Sequence, residues 1–324
     1  MNIWQAAVAV ARAGPGGVLA TVAQTRGSTP VPAGTKMLVG PDGRLLGTVG
    51  GGCVEADVLA AAAAVRRSGQ PVLLSHHLNA DLAGDLGLSC GGTVEILVEP
   101  LVDEPVYLRA LEAAAGADAG VVRTGVVWER GPVKFFEAAA PEAPGEVAAL
   151  LTEDRRFMIE RLALPPRVVV FGAGHVGAAI AHAAAVAGFR VVVVDDRPDF
   201  ADPARFPGGM VVFAADVDPA LERIVLTAAD AVVIATRGHR QDALILERVA
   251  MSPADYVGLL GSRRKQAVVT KGLTAVGVPA AALERVRVPI GLAIGAETPE
   301  EIAVAVVAEL IAWRRMRVPG DRRP

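Results

Sequence analysis

The chain has 324 residues, a formal net charge of −3 at pH 7 and an apolar fraction of 52%. This length predicts two domains rather than one core, and the charge balance provides no basic surface for nucleic acid. There is no run of about 18 apolar residues, no signal-peptide pattern at Met1–Gln5 and no disulfide framework in two cysteines, so we expect a cytoplasmic protein without membrane attachment.

The first half of the sequence alternates short helix and strand patterns. We expect a helix at 3–12, a strand at 17–25, a long turn at 26–34, hairpin strands at 35–39 and 44–49, an alanine-rich helix at 54–67, strands near 71–76 and 93–99, a helix at 106–115 and strands near 119–128 and 132–136. Residues 138–145 predict a loop. The Pro165–Pro166 pair marks the boundary between domains 1–164 and 165–324, because proline supplies no ladder donor and disfavours helix before it.

A polar loop links the first two predicted strands. It begins Arg26-Gly27-Ser28-Thr29, and Lys36 lies on the strand that follows. Cationic side chains beside a glycine and hydroxyl groups suit a phosphate or another anion. The alternative interpretation is a solvated turn that is merely polar.

The alanine-rich helix is preceded by three glycines and a cysteine. Gly50, Gly51 and Gly52 come before Cys53, and Glu55 follows in the first predicted turn. A ligand can lie against a backbone without Cβ atoms, and the positive end of a helix favours thiolate. A thiolate can bind a soft metal or take part in sulfur transfer. Alternatively, Cys53 is a small apolar residue on a tight turn.

A second cysteine motif precedes the strand near 93–99. It contains Cys90, Gly91 and Gly92, and it shares cysteine, glycine and glutamate with the first motif. We therefore expect the thiols of Cys53 and Cys90 to converge, as a pair of soft-metal ligands or as a redox pair. The spacing does not resemble that of a zinc knuckle, which argues against zinc.

Residues 167–196 predict one βαβ dinucleotide-binding unit. Two apolar β-branched runs flank a G-x-G-x-x-G turn, and the second run ends in Asp195. Gly172 would allow the tight turn, Gly174 the approach of a pyrophosphate, and Gly177 close packing of helix and strand. The first amides of the helix would then face the bound anion.

Asp195 is the expected ligand of a ribose hydroxyl. Arg197 lies two residues further and suits a 2′-phosphate, so NAD and NADP both stay open, as does a ligand of another kind. A Rossmann-like domain with an empty site is the alternative. His175 lies inside the glycine loop, where we expect it to cap the helix rather than to act in catalysis.

Further strands are predicted near 210–214, 231–235, 255–260 and 285–289, with helices between them. Polar segments follow two of these strands and carry His239, Ser262 and Arg263. The ends of parallel strands form the rim where ligands bind. Ser262 would cap a helix that begins with three cations, an arrangement that favours a bound anion. Histidine is the residue type suited to proton transfer near neutrality, and His239 is the candidate at this rim.

A very apolar helix is predicted at 299–316. Thr298, Pro299 and Glu301 form the pattern of a capped helix start. The helix must pack on more than one face, so it belongs to a core or to the interface of a homodimer.

Several motifs together resemble the XdhC/CoxI family of accessory proteins of molybdenum hydroxylases such as xanthine dehydrogenase and carbon monoxide dehydrogenase. They are Cys53-Val-Glu, Cys90-Gly-Gly-x-Val-Glu, Phe171-Gly-Ala-Gly-His-Val-Gly, Tyr256-Val-Gly-Leu-Leu-Gly-Ser-Arg and Ile290-Gly-Leu-x-Ile-Gly-Ala-Glu-Thr-Pro-Glu-Glu-Ile. Three positions depart from the family pattern: Gly50 replaces a frequent serine, Arg237 a histidine and Ala293 an aspartate. The two losses at Arg237 and Ala293 put the ligand of the second domain in question.

The resemblance implies a chaperone that binds molybdenum cofactor, protects it, supports its sulfuration by a cysteine desulfurase and inserts it into the apo molybdenum hydroxylase. The cofactor is molybdopterin or a dinucleotide form of it, with its metal near Cys53 and Cys90, and NAD(P) is a further candidate. The alternatives are an NAD(P)-dependent oxidoreductase and a nucleotide-sensing regulatory module.

The predicted fold is α/β, with an N-terminal mixed α/β domain that bears the cysteines followed by a Rossmann-like doubly wound parallel-sheet domain. The candidate cofactor-binding residues are Arg26, Lys36, Gly51, Gly52, Glu55, Gly91, Gly92, Gly172, Gly174, His175, Gly177, Asp195, His239, Ser262 and Arg263.

Overall fold

The computed structural model describes residues 3–78, 91–116, 119–129, 131–138, 148–163, 165–206 and 208–316. The chain divides into two compact units, Met1–Leu164 and Pro165–Pro324. None of the described helices has both the length and the apolar character of a membrane span.

The first unit contains an antiparallel sheet in the order β3-β2-β1-β5-β4. One face of this sheet is covered by α2, whose Val54, Val58, Ala62 and Val65 recur at helical spacing and are buried against it. On the other side, α1 and α3 pack together in a second apolar cluster. The elements are α1 (Ile3–Ala13), β1 (Val18–Arg26), β2 (Lys36–Val39), β3 (Leu45–Gly47), α2 (Gly52–Ser68), β4 (Val72–His77), β5 (Thr93–Pro100) and α3 (Pro105–Gly116).

A second antiparallel sheet completes this unit, in the order β7-β6-β9-β8. Its strands are β6 (Ala119–Gly125), β7 (Lys134–Ala138), β8 (Ala148–Leu151) and β9 (Phe157–Ala163). Strands β8 and β9 are not among the elements predicted from the sequence. In β9 the buried face includes Glu160, while Phe157 and Ile159 lie on the partly exposed face. The usual alternation of apolar inside and polar outside is therefore absent, and it was the signal on which strand prediction depended.

The second unit is built on a parallel sheet in the order β12-β11-β10-β13-β14-β15. This is the strand order of a Rossmann fold, and it confirms the predicted doubly wound architecture. Helices α4 and α9 belong to the core on one face, and residues of α5 to α8 belong to the core on the other. The elements are β10 (Arg167–Phe171), α4 (His175–Val186), β11 (Arg190–Asp195), a short 3-10 helix (Pro203–Arg205), β12 (Val211–Ala214), α5 (Val217–Arg223), β13 (Asp230–Ile234), α6 (His239–Val249), β14 (Tyr256–Leu259), α7 (Arg263–Ala275), α8 (Ala280–Glu284), β15 (Val286–Arg287) and α9 (Pro299–Met316).

The start of α9 is the predicted capping box. The amide of Thr298 donates to Glu301 Oε2 at 3.0 Å, and the amide of Glu301 donates to Thr298 Oγ1 at 3.2 Å. Val306, Leu310 and Trp313 are buried against the sheet and α4, which confirms that this helix is a core element.

Candidate functional site

The three glycines before α2 adopt backbone conformations that favour glycine. Gly50, Gly51 and Gly52 have φ values of 126°, 76° and 56°. A Cβ atom on Gly51 or Gly52 would meet nothing within 4 Å, so the surface beside the backbone is open. Gly51 is the N-cap of α2 and supplies no side-chain hydrogen bond, which leaves first-turn amides of the helix without a side-chain cap.

Cys53 is exposed in the first turn of α2. Its neighbour Glu55 is held in place, because its Oε1 accepts from Thr48 Oγ1 at 2.5 Å. Thr48 Oγ1 also accepts from the amide of Gly50 at 3.2 Å. These hydrogen bonds of Thr48 and Glu55 hold the chain that leads into the glycine turn in place, and the thiol of Cys53 stays accessible to solvent.

The polar loop after β1 contacts both glycine segments of the first unit. Gly27 has a φ of 71°, and a Cβ there would lie 3.2 Å from Gly92 Cα and 3.3 Å from the Gly91 carbonyl oxygen. A Cβ on Gly92 would approach the Ser28 carbonyl oxygen to less than 3.0 Å. At the other end of the loop, a Cβ on Gly50 would lie 3.2 Å from Pro30 Cγ. Three segments that the sequence analysis treated separately thus lie side by side.

Cys90 lies outside the described residues. The two ends of the segment that carries it are joined, since the Leu78 amide donates to the Gly92 carbonyl at 2.8 Å. Convergence of the thiols of Cys53 and Cys90 stays a prediction.

Lys36 does not belong to the anion loop, which corrects the sequence analysis. Its ammonium is buried, forms an ion pair with the fully buried Glu160 and donates to the Gly34 carbonyl at 3.2 Å. Desolvation lowers the pKa of Lys36, and the charge of Glu160 partly offsets that effect. A neighbouring cluster joins Lys134 Nζ to Glu99 Oε1 at 2.9 Å. Lys36 is therefore part of the buried polar framework of this unit, and an anion cannot reach it from solvent.

The glycine turn of the second unit has the predicted geometry at two positions. Gly172 has a φ of 105°, and a Cβ on it would come closer than 3.0 Å to the Ala235 carbonyl oxygen. A Cβ on Gly177 would collide with the Gly172 carbonyl oxygen. By contrast, a Cβ on Gly174 would meet nothing within 4 Å, so there is room for a ligand at that position. The N-cap of α4 is Gly174 without a side-chain hydrogen bond, and the expectation that His175 caps this helix is wrong.

Asp195 is engaged inside the protein. Its carboxylate accepts from the Ala173 amide at 2.7 Å and from Arg197 Nε and Nη2 at 2.8 and 2.9 Å. Burial opposes ionisation, but the hydrogen bonds from Arg197 and the amides outweigh it and lower the pKa of Asp195 to about 2. A ribose hydroxyl would have to replace Arg197 at this carboxylate. The next residue, Asp196, pairs with Arg237 at 3.1 Å, and Arg237 is the position where the family pattern has histidine.

The rim between β13 and β14 carries a polar network that is not among the sites predicted from the sequence. The fully buried Asp242 accepts from Thr236 Oγ1 at 2.6 Å and forms an ion pair with Lys265 Nζ at 2.5 Å. Lys265 also donates to the Leu260 carbonyl at 2.8 Å. One of the three cations at the start of α7 therefore neutralises a buried carboxylate. The sequence did contain a signal for this pair. Asp242 lies near the start of α6, which follows β13, and the basic residues lie at the start of α7, which follows the neighbouring strand β14.

Ser262 is the N-cap of α7, as predicted, and its Oγ accepts from the Lys265 amide at 3.3 Å. His239 and Arg263 begin α6 and α7, and their side chains lie outside what the structure describes. A role of these three residues in cofactor binding stays a prediction.

Comparison with known proteins identifies the family. The model of the XdhC and CoxI family matches residues 10–77, and the XdhC Rossmann domain model matches residues 168–310. A Bacillus subtilis protein described as a probable xanthine dehydrogenase subunit is 31% identical over 316 residues, covering 92% of this chain and 93% of the relative. The chain belongs to the XdhC and CoxI family.

Two further proteins are similar to this chain over nearly its whole length. The molybdenum cofactor insertion chaperone PaoD of Escherichia coli is 25% identical over 318 residues, covering 97% of this chain and 88% of PaoD. The crystal structure of a xanthine dehydrogenase from Bacillus halodurans matches with a TM-score of 0.79 and 25% identity, over 99% of this chain and 98% of that chain. Both units of the chain therefore have counterparts in single relatives.

Proposed function

We propose that this chain is an accessory protein of a molybdenum hydroxylase that binds molybdenum cofactor, protects it, supports its sulfuration and inserts it into the apoenzyme. The observation that carries this proposal is the meeting of three segments in the first unit: the loop from Arg26, the open glycine turn at Gly51 and Gly52 beside exposed Cys53, and Gly91–Gly92. Similarity to a molybdenum cofactor insertion chaperone over nearly the whole chain supports it.

The residues present fit such a cofactor. Molybdenum cofactor is a pterin with a dithiolene and a terminal phosphate, and its metal supplies redox chemistry in the client enzyme. Gly51 and Gly52 leave room for a flat ring against the backbone. Cys53 is a soft ligand type with access to solvent, suited to the metal centre or to sulfur received from a cysteine desulfurase.

The second unit supports binding of a nucleotide. The open space at Gly174 and the start of α4 without a side-chain cap suit a pyrophosphate, from a dinucleotide form of the cofactor or from NAD(P). Asp195 and Arg197 form an ion pair. The Asp195 carboxylate can therefore accept a hydrogen bond from a ribose hydroxyl only if that hydroxyl displaces the Arg197 guanidinium. His175 and His239 carry no assigned step.

The experiment is cofactor retention by the purified full chain from a molybdate-replete host. Molybdenum is measured by mass spectrometry of the metal, and pterin by fluorescence after oxidation. We expect the wild type to retain both through gel filtration, and Cys53→Ser to lose most of the molybdenum. Ala60→Ser is the matched control, because it adds a hydroxyl at an exposed position of the same helix.

The outcome separates the three functions. A wild type without pterin or molybdenum, or a Cys53→Ser variant that retains both like the wild type, contradicts the proposal. Turnover of NADH or NADPH with a small carbonyl compound would instead favour an oxidoreductase. Nucleotide binding without turnover and without pterin would favour a regulatory module.

The partners follow from the same proposal. We expect the loaded chain to restore activity to an apo molybdenum hydroxylase, and to form a complex with a cysteine desulfurase that sedimentation detects. A homodimer is tested in the same sedimentation run with the chain alone.

A further inference from the structure

A polar pocket of about 160 Å³ lies in the first unit at the ends of three neighbouring strands. Its floor consists of Gln24 and Arg26 on β1, Thr93 on β5, and Ser75 and His77 on β4. Residues two apart on a strand share a face, so these side chains form a continuous polar surface. A single buried water needs roughly 10–15 Å³, and the pocket therefore has room for a tetrahedral oxyanion.

A β-bulge brings the β1 side chains to this surface. Val22 pairs with Ile96, but Gln24 rather than Ala23 pairs with Glu95, so the register shifts by one residue. Arg26 then pairs with Thr93. Bulges redirect side chains and are frequent beside functional sites. Here the shift places the amide of Gln24 and the guanidinium of Arg26 in line with the polar residues of β5 and β4.

Arg155 forms the wall of the pocket from the turn between β8 and β9. Its φ of 55° is the one positive value among the described residues other than glycine, a conformation that costs on the order of 1 kcal/mol or more. The turn holds it there, because the Arg155 amide donates to the Thr152 carbonyl at 2.8 Å and Asp154 accepts from Thr152 and Arg156. Arg155 Nη2 reaches Glu95 Oε1 at 2.5 Å.

The charges of the pocket favour an anion. Glu95 balances Arg155, whereas none of the described side chains forms an ion pair with Arg26. Ser75 and Thr93 supply hydroxyl donors, and His77 Nδ1 lies 3.2 Å from Thr93 Oγ1. The guanidinium groups of Arg26 and Arg155 and the hydroxyl groups of the pocket are residue types that recognise phosphate.

We propose that this Arg26–Arg155 pocket binds a phosphate group. This inference rests on the proposed function only for the identity of the complete ligand. If that ligand is the pterin cofactor, the pocket binds its terminal phosphate. Gly91 and Gly92 lie directly before Thr93 and contact the loop after Arg26, so the pocket is continuous with the glycine segments of the first unit. Glu95 acts as a positioning residue for the guanidinium of Arg155.

The test is isothermal titration of the full chain with inorganic phosphate, in parallel with cofactor retention. Arg26→Gln and Arg155→Asn each remove one guanidinium, and asparagine tolerates the left-handed backbone at position 155. We expect each to weaken phosphate binding by about tenfold or more, the size of one charge-assisted hydrogen bond. Arg44→Gln is the matched control, because its side chain is 90% exposed on the β2–β3 hairpin. Thermal unfolding checks that each variant is folded.

The two readouts separate this inference from the proposed function. Weaker phosphate binding in both pocket variants but not in Arg44→Gln supports the pocket, even if the wild type holds no pterin. Phosphate affinity that is unchanged in Arg26→Gln and Arg155→Asn overturns it, even if the wild type retains molybdenum. Any phosphate binding that survives in both variants belongs to another site, such as the α4 glycine turn.

Discussion

Burial changes the role of single residues in this protein. Lys36 follows a polar loop in the sequence and looks like an anion ligand, yet its ammonium lies between two sheets and pairs with Glu160. The two residues are 124 positions apart. The sequence around Lys36 does not indicate that Glu160 is its partner. The strand that carries Glu160, β9, also lacks the alternation of apolar and polar residues by which strands are predicted. The residue type was evident from the sequence, but its solvent exposure was not.

The first prediction concerns this buried pair. Lys36→Met leaves the Glu160 carboxylate buried without its counter-charge, and we expect it to lower the free energy of unfolding by about 3–5 kcal/mol. Urea denaturation followed by tryptophan fluorescence measures this, since Trp4 lies beside Lys36 Nζ. The double variant Lys36→Met/Glu160→Leu should recover most of the loss. Equal destabilisation of the single and double variants would contradict the explanation.

A second prediction concerns the pH dependence due to Asp195. Its folded pKa of about 2 lies below the ordinary value of about 3.9. The carboxylate therefore stabilises the fold above pH 4, and this contribution disappears as the pH falls through about 2. Asp195→Asn should cost about 1–2 kcal/mol at pH 7, allowing for solvent screening of Arg197, and should converge with the wild type as the pH falls below about 2. A constant difference across this range, measured by urea denaturation, would contradict the assignment.

At the scale of elements, local sequence rules predicted the structure correctly where the contacts that determine it lie within a few residues of each other. The glycine turn before α4 works through collisions within a few residues, as between Gly177 and the Gly172 carbonyl. The capping box of α9 is equally local. Strand register is different, because the bulge at Ala23 becomes visible only when β1 is paired with β5.

The third prediction tests the capping box. Thr298→Ala removes the acceptor for the Glu301 amide, and we expect the second unit to lose about 1 kcal/mol of stability. Thr274→Ala is the matched control, since Thr274 Oγ1 donates back to the Thr270 carbonyl near the end of α7 and caps no helix start. Calorimetry compares the two melting temperatures. A decrease as large in the control would show that the cap contributes nothing specific.

At the scale of the whole molecule, the proposed cofactor site forms where three separate segments of the chain pass close to one another. The segments at Gly27, Gly50 and Gly92 are far apart in sequence, and they meet because the β1–β2 connection runs between the start of α2 and the start of β5. Each segment showed its chemistry in the sequence. Their contact depends on pairing β1 with β5, which joins residues about 70 positions apart.

The fourth prediction tests this close approach with two adjacent glycines. A Cβ on Gly92 would collide with the Ser28 carbonyl oxygen, whereas a Cβ on Gly91 would meet nothing within 4 Å. Gly92→Ala should therefore lower the free energy of unfolding by about 1–3 kcal/mol and reduce the molybdenum that copurifies. Gly91→Ala should keep wild-type stability. The same urea and metal measurements serve for both, and equal effects would contradict the close approach.

The sequence by itself determined the order of the elements in the second unit, the glycine turn, the caps of α7 and α9, and the family. These features depend on steric and hydrogen-bonding rules that act over a few residues, or on motifs read in chain order. The tertiary structure alone decided that Lys36 is buried, that Lys265 neutralises Asp242, and that Arg155 meets Arg26 around one pocket. Desolvation and ion pairing depend on which distant residues come into contact, and that is a property of the folded chain.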